Sequence, residues 1–326
     1  MIGVVNLMDE DSNFIIENHE VVLQSMTNAL IHRGPDDEGI KVDHENGIYL
    51  GHRRLSIQDL SKNGHQPMLS HSKRYLIAFN GEVYNFKSLR DEIKLLNKNI
   101  NFKGGSDTEV ILAAIETWGI KKSLNKFNGM FAFALFDKQD KKLFLARDRV
   151  GEKPLYYGFE NNYFLFSSEL KSLRQHPSWT GRINKAALSA YLKYSFVPTP
   201  LSIYDNFYKL EPGHLMEVSL DDFNRGVDKF KSYPYWDLIS ITEENLASEF
   251  KGSLKSAISK TDDLLQESVD LRTISDVPVG TFLSGGIDSS LISSIASHLS
   301  STKIQTFSVG FNEEEFNEAK EAKEIS

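Results

Sequence analysis

The residue pattern with the clearest chemical meaning lies in the C-terminal third of the chain, between a predicted strand and a predicted helix. Residues 284–290 read Ser-Gly-Gly-Ile-Asp-Ser-Ser. Paired glycines allow close backbone approach to a ligand, and serine hydroxyls with the first N–H groups of a helix favour bound phosphate. No lysine follows the glycines and Gly-x-Gly-x-x-Gly is not formed, which disfavours a Walker A loop and a dinucleotide site. The structural alternative is a plain capped turn.

The elements around this turn predict the beginning of a parallel α/β sheet. A strand at 279–283 leads into the turn, and a helix at 288–299 follows it. A second strand at 304–311 and a helix from 313 repeat the order, which is typical of an α/β sheet. A long helix is predicted before them, at 246–273. Because two parallel strands cannot cover their own faces, we expect this sheet to continue beyond the chain.

The first 190 residues or so have a different pattern, with many short strands and few helices. Apolar runs predict strands at 2–7, 48–50, 75–80, 131–137, 142–146, 156–158 and 163–167. Helical spacing of apolar residues marks 19–32, 87–97 and 107–118. This pattern favours an antiparallel α+β domain.

Segment 195–236 is rich in proline and is predicted to be a connection with little regular structure. We therefore expect an N-terminal domain at 1–194, a connecting segment at 195–245 and an incomplete α/β domain at 246–326.

Composition excludes several classes of protein. The 326 residues are 40% hydrophobic and 25% charged, with a formal net charge of -8. No basic run indicates nucleic-acid binding, and neither a membrane span nor a signal sequence is evident, which predicts a cytoplasmic protein without membrane partners. The chain contains no cysteine. Disulfides, thiolate metal sites and a cysteine nucleophile from these residues are therefore excluded.

The glycine-rich turn resembles the PP-loop of ATP pyrophosphatases, which holds the pyrophosphate of ATP while a substrate is adenylated. Residues 274–280 and 306–311 extend this resemblance to the synthetase domain of glutamine-dependent asparagine synthetases. The N-terminal half is similar to the class II glutaminase domain of the same family. Its motifs occur in the family's order at 32–36, 51–57, 80–85, 106–109 and 148–157. The resemblance implies an Ntn-hydrolase-like αββα sandwich, followed by the start of a PP-loop domain of the adenine nucleotide alpha hydrolase type.

The resemblance also implies a pocket for glutamine, which presents an α-carboxylate, an α-ammonium and a carboxamide. In the family pattern Arg54 binds the carboxylate, and Asp107 takes the ammonium with help from Glu82. Asn80 and the backbone N–H of Gly81 would form an oxyanion hole for the carbonyl oxygen. The complete implied glutamine set is Arg54, Leu55, Ser56, Ile57, Asn80, Gly81, Glu82 and Asp107.

Each of these residues has a plainer interpretation. Arg54 could be a surface charge, Asp107 a helix N-cap and Asn80-Gly81 a hairpin turn that also presents the oxyanion donors. Arg53 is the weaker choice for binding the carboxylate.

The start of the chain departs from the family pattern. Class II glutaminases use an N-terminal cysteine, whose thiolate attacks the amide while the α-amino group acts as base. The family begins Met-Cys-Gly-x-x-Gly, and this chain begins Met-Ile-Gly-Val-Val-Asn-Leu. Either Ile2 replaces the cysteine, or Gly3 is the second family glycine and the chain starts a few residues late, which we favour. In both alignments a thiol nucleophile is missing, and the thioether of Met1 cannot replace it.

For the synthetase half, the resemblance implies an ATP site with Mg²⁺ neutralising the triphosphate. The implied ATP-binding residues are Leu283, Ser284, Gly285, Gly286, Asp288, Ser289 and Val309. Asp288 would be nearest the metal and pyrophosphate, or would simply complement the helix dipole. Leu283 and Val309 would meet adenosine through backbone groups, or would pack in the core.

The implied activity is that of a glutamine-hydrolysing asparagine synthetase, with L-glutamine, L-aspartate and ATP as substrates and a homodimer as the family expectation. One alternative is a relative that uses free ammonia or closes a ring. Another is a non-catalytic protein that binds glutamine without turnover. Taken literally, the 326 residues favour binding without turnover, whereas the asparagine synthetase interpretation suits the gene as a whole.

Overall fold

Two antiparallel sheets of six strands each form most of the protein in this computed structural model. The structure describes residues 1–6, 18–221, 230–313 and 317–326. Contacts divide the chain into two units, Met1–Ile241 and Thr242–Ser326. The strands of the first unit are β1 (Ile2–Asn6), β2 (Asp37–Asp43), β3 (Ile48–Arg54), β4 (Met68–Leu69), β5 (Tyr75–Val83), β6 (Gly129–Asp137), β7 (Lys142–Arg147), β8 (Tyr156–Glu160), β9 (Tyr163–Ser167), β10 (Phe207–Lys209), β11 (His214–Ser219) and β12 (Lys231–Pro234).

The strand order is β10-β8-β9-β1-β3-β2 in the first sheet and β12-β11-β7-β6-β5-β4 in the second. Helices accompany both sheets. They are α1 (His19–Asn28), α2 (Phe86–Leu96), α3 (Asp107–Trp118), α4 (Ile120–Lys126), α5 (Leu170–Leu173) and α6 (Lys185–Tyr194). The helices predicted at 19–32, 87–97 and 107–118 are confirmed, although α1 ends at Asn28 and a separate 3₁₀ turn covers Ile31–Arg33.

Strand β1 shows why the sheets stack. Its side chains alternate between faces. Val5 joins the core between the two sheets, and Ile2 and Val4 join a second core with α1. Gly3 lies opposite Phe166 of β9. A Cβ added at Gly3 would lie 2.1 Å from the ring of Phe166, so a larger residue does not fit there. With both faces of this sheet buried and helices outside, the predicted αββα sandwich is confirmed.

The prediction of a poorly structured connection at 195–236 was wrong. Strands β10, β11 and β12 lie in this segment, and they pair at the edges of the two sheets. Met216 and Val218 of β11 are buried in the core between the sheets. Proline misled the prediction because an edge strand tolerates it, as at Pro234 in β12. The first unit accordingly extends to Ile241, not to 194.

The second unit begins a parallel α/β arrangement. Its elements, with the helix that leads into it, are α7 (Leu238–Leu246), α8 (Leu254–Thr273), β13 (Gly280–Phe282), α9 (Ile287–Leu299), β14 (Gln305–Phe307) and α10 (Ala319–Ile325). Strands β13 and β14 pair in parallel, as predicted. The single helix predicted at 246–273 was wrong, because Ser253 caps a new helix by accepting the N–H of Ser256. No helix among the described residues is both long and apolar enough to cross a membrane.

Candidate functional site

A cavity of about 360 Å³ opens in the first unit beside the end of β5. Seven of the predicted glutamine-binding residues line it: Arg54, Leu55, Ile57, Asn80, Gly81, Glu82 and Asp107. Ser56 is not in the lining, and its backbone N–H donates to the carboxylate of Asp36 at 2.8 Å. The fold thus gathers residues from β3, β5 and the start of α3 around one space.

The outer edge of β5 forms one wall of this cavity. Strand β4 covers only the beginning of that edge, at Leu76 and Ile77. Beyond it, the N–H of Phe79 donates to the Gln66 side-chain oxygen at 2.7 Å, and the N–H of Val83 donates to Asp107 Oδ2 at 2.9 Å. Alternate residues of an antiparallel strand point their N–H groups to the same edge. The N–H of Gly81 therefore lies between these two bonds, on the edge that borders the cavity.

Gly81 lies within β5 and not in a hairpin turn, so the turn interpretation of Asn80-Gly81 was wrong. It is opposite Phe131 of β6. Its φ is +149°, and an added Cβ would lie only 2.0 Å from the carbonyl oxygen of Met130. Glycine is required here because both the backbone angle and the space exclude a side chain.

Asn80 connects this strand to the first sheet. Its side-chain Nδ2 lies 3.4 Å from Ser168 Oγ, and the backbone N–H of Ser168 donates to the carbonyl of Met1 at 3.1 Å. Met1 also lines the cavity. Burial and the charge of Arg33 lower the pKa of the Met1 amino group to about 5.

A buried carboxyl group, Asp107, and a half-buried one, Glu82, line the same cavity. Burial raises the pKa of Asp107 to about 6, against the opposing effect of its bonds from Val83 and Thr108 and of the Arg54 charge. Burial and the charge of Asp107 raise the pKa of Glu82 to about 7. Both groups would be stabilised in their charged form by a bound cation. Asp107 is not the N-cap of α3, because Ser106 holds that position and accepts the N–H of Thr108.

Arg54 is buried and held by backbone carbonyls, so its interpretation as a surface charge was wrong. Its guanidinium donates to the carbonyl of Ser61 at 3.1 Å, to that of Gln58 at 3.0 Å and to that of Asp59. These bonds involve Nη1 and Nη2 and leave two of the five N–H donors for an anion. They also fix the loop after β3 against the cavity. An added Cβ on Gly64 would lie 1.9 Å from Arg54 Nη2, so this loop packs tightly on the guanidinium.

Sequence reasoning missed several lining residues. Gln66 accepts a hydrogen bond from the N–H of Phe79. The carbonyl oxygen of Phe79 lies 2.8 Å from His52 Nε2. Gln58 follows the Arg-Leu-Ser-Ile motif directly, and Lys153 lies inside the motif at 148–157. Those two could have been found from the motifs themselves. The pairing of Gln66 with Phe79 has no local signal, because it depends on how the loop folds back on β5.

The second unit holds its own cavity of about 540 Å³ at the PP-loop. Of the predicted ATP-binding residues, Leu283, Ser284, Ser289 and Val309 line it, and Gly285, Gly286 and Asp288 do not. The hydroxyls of Ser284 and Ser289 lie 3.0 Å apart. Gly285 has a φ of +82°, and an added Cβ would lie 2.7 Å from the Cβ of Glu321.

The backbone of Leu283 is engaged within the second unit. Its N–H donates to the carbonyl of Phe307 at 2.8 Å, and its carbonyl accepts from Ser308 Oγ at 2.6 Å. This leaves the second lone pair of the carbonyl for a ligand. Of the two residues predicted to meet adenosine, Leu283 is buried whereas Val309 is 64% exposed. Core packing thus describes Leu283 and not Val309.

The donor set near Asp288 suits a metal ion that arrives with phosphates better than a resident one. The described ranges contain no group of three His, Asp or Glu side chains that could hold a metal ion. Mg²⁺ usually keeps several waters and binds through one or two carboxylates plus substrate phosphates. Asp288 in the first turn of α9 and Glu318 in the cavity lining are carboxylates of the kind that this mode uses.

The fold is shared with solved structures. Glutamine phosphoribosylpyrophosphate amidotransferase from B. subtilis has a TM-score of 0.50 and 18% identity, with 72% of this chain and 48% of that chain covered. The allosteric regulatory enzyme of purine biosynthesis, also a solved structure, has a TM-score of 0.51 and 17% identity, with 94% of this chain and 64% of that chain covered. These similarities show a shared fold, in agreement with the αββα sandwich that the sequence implied.

Sequence comparison gives the family. Residues 1–236 match the family described as glutamine amidotransferase domain, and residues 260–326 match the family described as asparagine synthase. Glutamine-hydrolysing asparagine synthetase 1 of Bacillus subtilis is 37% identical over 328 residues, which cover 100% of this chain and 48% of that protein. A Methanocaldococcus jannaschii protein with a name of the same kind is 38% identical, covering 89% and 56%. The chain therefore belongs to the glutamine-hydrolysing asparagine synthetase family. It spans about half the length of these relatives.

Gly81→Ala is expected to destabilise the first unit, because the new methyl group would overlap the Met130 carbonyl at a backbone angle that alanine avoids. We expect a loss of about 1–3 kcal/mol in the free energy of unfolding from strain of this kind. All three tryptophans, Trp118, Trp179 and Trp236, lie in the first unit, so urea unfolding read by tryptophan fluorescence reports on it. Gly105→Ala is the control, since its nearest contact would be an ordinary 3.8 Å. Equal stability of the two variants would contradict the prediction.

Proposed function

We propose that the cavity of the first unit binds L-glutamine, as a glutamine site of the amidotransferase class. The observation that carries this proposal is that a buried guanidinium, Arg54, and a buried carboxyl, Asp107, line one cavity of suitable size. Free glutamine carries both an α-carboxylate and an α-ammonium. A site for it needs one fixed charge of each sign, and a neutral ligand would leave both groups buried without compensation.

In this proposal the head group of glutamine lies between Arg54 and the pair Asp107 and Glu82. The three backbone carbonyls that hold Arg54 pre-position its remaining donors, so little side-chain entropy is lost on binding a carboxylate. The α-ammonium replaces protons on Asp107 and Glu82, whose pKa values are raised in the free site by burial. The N–H donated by Val83 fixes the orientation of Asp107.

The carboxamide of glutamine would then lie along the outer edge of β5. The N–H of Gly81 lies on that edge, and the side chain of Asn80 lines the same cavity. Donors placed before reaction stabilise the negative charge that develops on a carbonyl oxygen during acyl transfer, typically by several kcal/mol. This supports Asn80 and Gly81 as the oxyanion hole.

For the whole protein, we propose glutamine-dependent amidation of L-aspartate to L-asparagine through an ATP-derived adenylate. The family membership and the PP-loop of the second unit support this. Adenylation makes AMP a leaving group from a carboxylate that is otherwise a poor electrophile. Ser284, Ser289 and the N-terminus of α9 would hold the pyrophosphate, with Mg²⁺ carried by the nucleotide near Asp288. The acceptor, a homodimer and a cytoplasmic location stay predictions from the sequence.

A second proposal concerns the 326 residues themselves: they bind glutamine without hydrolysing it. It is favoured by the absence of cysteine from the sequence. Amide hydrolysis of this class needs a thiolate to form the acyl intermediate. An ammonia-dependent or ring-closing relative is less well supported, because it would have no need for the charges at Arg54 and Asp107.

Asp107→Asn is expected to weaken glutamine binding at least about 30-fold in titration calorimetry, since losing one partner of a buried charge pair costs about 2–5 kcal/mol. The asparagine can still accept the Val83 N–H, so the fold should persist. Asp91→Asn, an exposed change on α2, is the control and should bind as the parent does. Unchanged affinity in Asp107→Asn, or no binding by the parent chain, would overturn the proposed site.

Glutamine affinity should rise with pH between about 5 and 7.5. The pKa is about 6 for Asp107 and about 7 for Glu82, and below its pKa each carboxyl is protonated. A neutral carboxyl attracts the ammonium only weakly. We expect affinity about tenfold lower at pH 5 than at pH 7.5, with protons released on binding, measured by calorimetry in buffers of different ionisation enthalpy. In Glu82→Gln the midpoint should move to lower pH. A flat profile for the parent chain would contradict this assignment.

The purified chain should release no glutamate from glutamine, because no thiol nucleophile is present. A coupled glutamate assay over several hours measures this against the spontaneous rate. Asp107→Asn purified in the same way controls for contaminating glutaminase. Release by the parent chain that Asp107→Asn abolishes would refute binding without turnover.

A further inference from the structure

Gln58 lines the glutamine cavity, but its side chain is arranged in an unusual way. Both polar atoms, Nε2 and Oε1, are buried without a hydrogen-bond partner in the described part of the chain. The residue as a whole is nevertheless partly exposed. Amphipathic side chains normally bury the apolar stem and leave the polar tip in water. This inverted arrangement is costly, because no group among the described residues satisfies the amide.

The position of Gln58 indicates which part of a ligand its amide could reach. Its backbone carbonyl accepts from Arg54 Nη2 at 3.0 Å. Gln58 is therefore the immediate neighbour of the guanidinium assigned to the α-carboxylate. Rotation about its side-chain torsions would carry the amide from its dry position into the cavity.

We propose that Gln58 is a specificity-determining residue of this site, whose carboxamide turns into the cavity when glutamine binds and donates from Nε2 to the α-carboxylate beside Arg54. The inference rests on the proposed glutamine function. When the side chain turns, an unsatisfied amide becomes the donor of a charge-assisted hydrogen bond. The free protein has the unfavourable arrangement and the complex does not, so this difference strengthens ligand binding. A ligand without an anionic group at this point does not gain it.

The test measures stability and affinity in Gln58→Leu, which have opposite expected signs. Removing the unsatisfied amide should raise the Tm of the free protein, read by tryptophan fluorescence, by about 2–4 °C. Losing the donor should weaken L-glutamine binding about tenfold in calorimetry. Gln139→Leu, at an exposed turn between β6 and β7, is the matched control and should change neither quantity. Gln58→Met replaces the leucine variant if the latter fails to fold.

The NMR signals of the Gln58 side-chain amide give an independent readout in the unmodified chain. They are assigned by their loss in the Gln58→Leu variant. We expect them to shift on saturation with L-glutamine, as the amide gains a charged acceptor. A higher Tm with unchanged affinity, or amide signals that do not move, would overturn the role of Gln58 even if Asp107→Asn weakens binding as predicted. Failure of the parent chain to bind glutamine at all would remove the proposed function and this inference with it.

Discussion

The outer edge of β5 is the constraint on which the site depends. Strand β4 pairs only with the beginning of β5, so the N–H groups further along need other partners. Side chains supply them, with Gln66 bound to Phe79 and Asp107 bound to Val83. A buried backbone N–H without a partner would destabilise the fold. The same two bonds therefore draw the loop before β4 and the start of α3 to the strand, and the space left between them, at Gly81, is the cavity.

The charged side chains of the cavity, Arg54 and Asp107, form their hydrogen bonds mainly with backbone groups and not with each other. Carbonyls of the loop at 58–61 accept from Arg54, and N–H groups of Val83 and Thr108 donate to Asp107. Burial without a ligand is unfavourable for such groups, and the raised pKa of Asp107 reflects that cost. The proposed zwitterionic amino acid would compensate both charges at once. Electrostatics thus links the local geometry of two loops to a class of ligand, and the family membership agrees with that class.

The turn between β13 and α9 in the second unit forms although the buried cluster of that unit is small. This turn has the glycine backbone angle and the serine pair expected of a phosphate-binding loop. The buried cluster is formed by Val269, Ile295 and Ala296 with Leu265 and Ile304 against it. Phe282 is 79% exposed in this arrangement. The loop is therefore determined by short-range hydrogen bonds and sterics, and less by packing.

The sequence by itself predicted the αββα sandwich, most helices, the parallel start of the second unit and seven residues that line the first cavity. It could do so because periodicity and motifs are local and follow chain order. Only the tertiary structure decided that β10–β12 complete the two sheets, since an edge strand tolerates the prolines that suggested a connection. It also placed Asn80 and Gly81 inside a strand and buried Arg54. Those outcomes depend on which distant segment covers each edge, as when Gln66 reaches Phe79, and no local pattern encodes such a pairing.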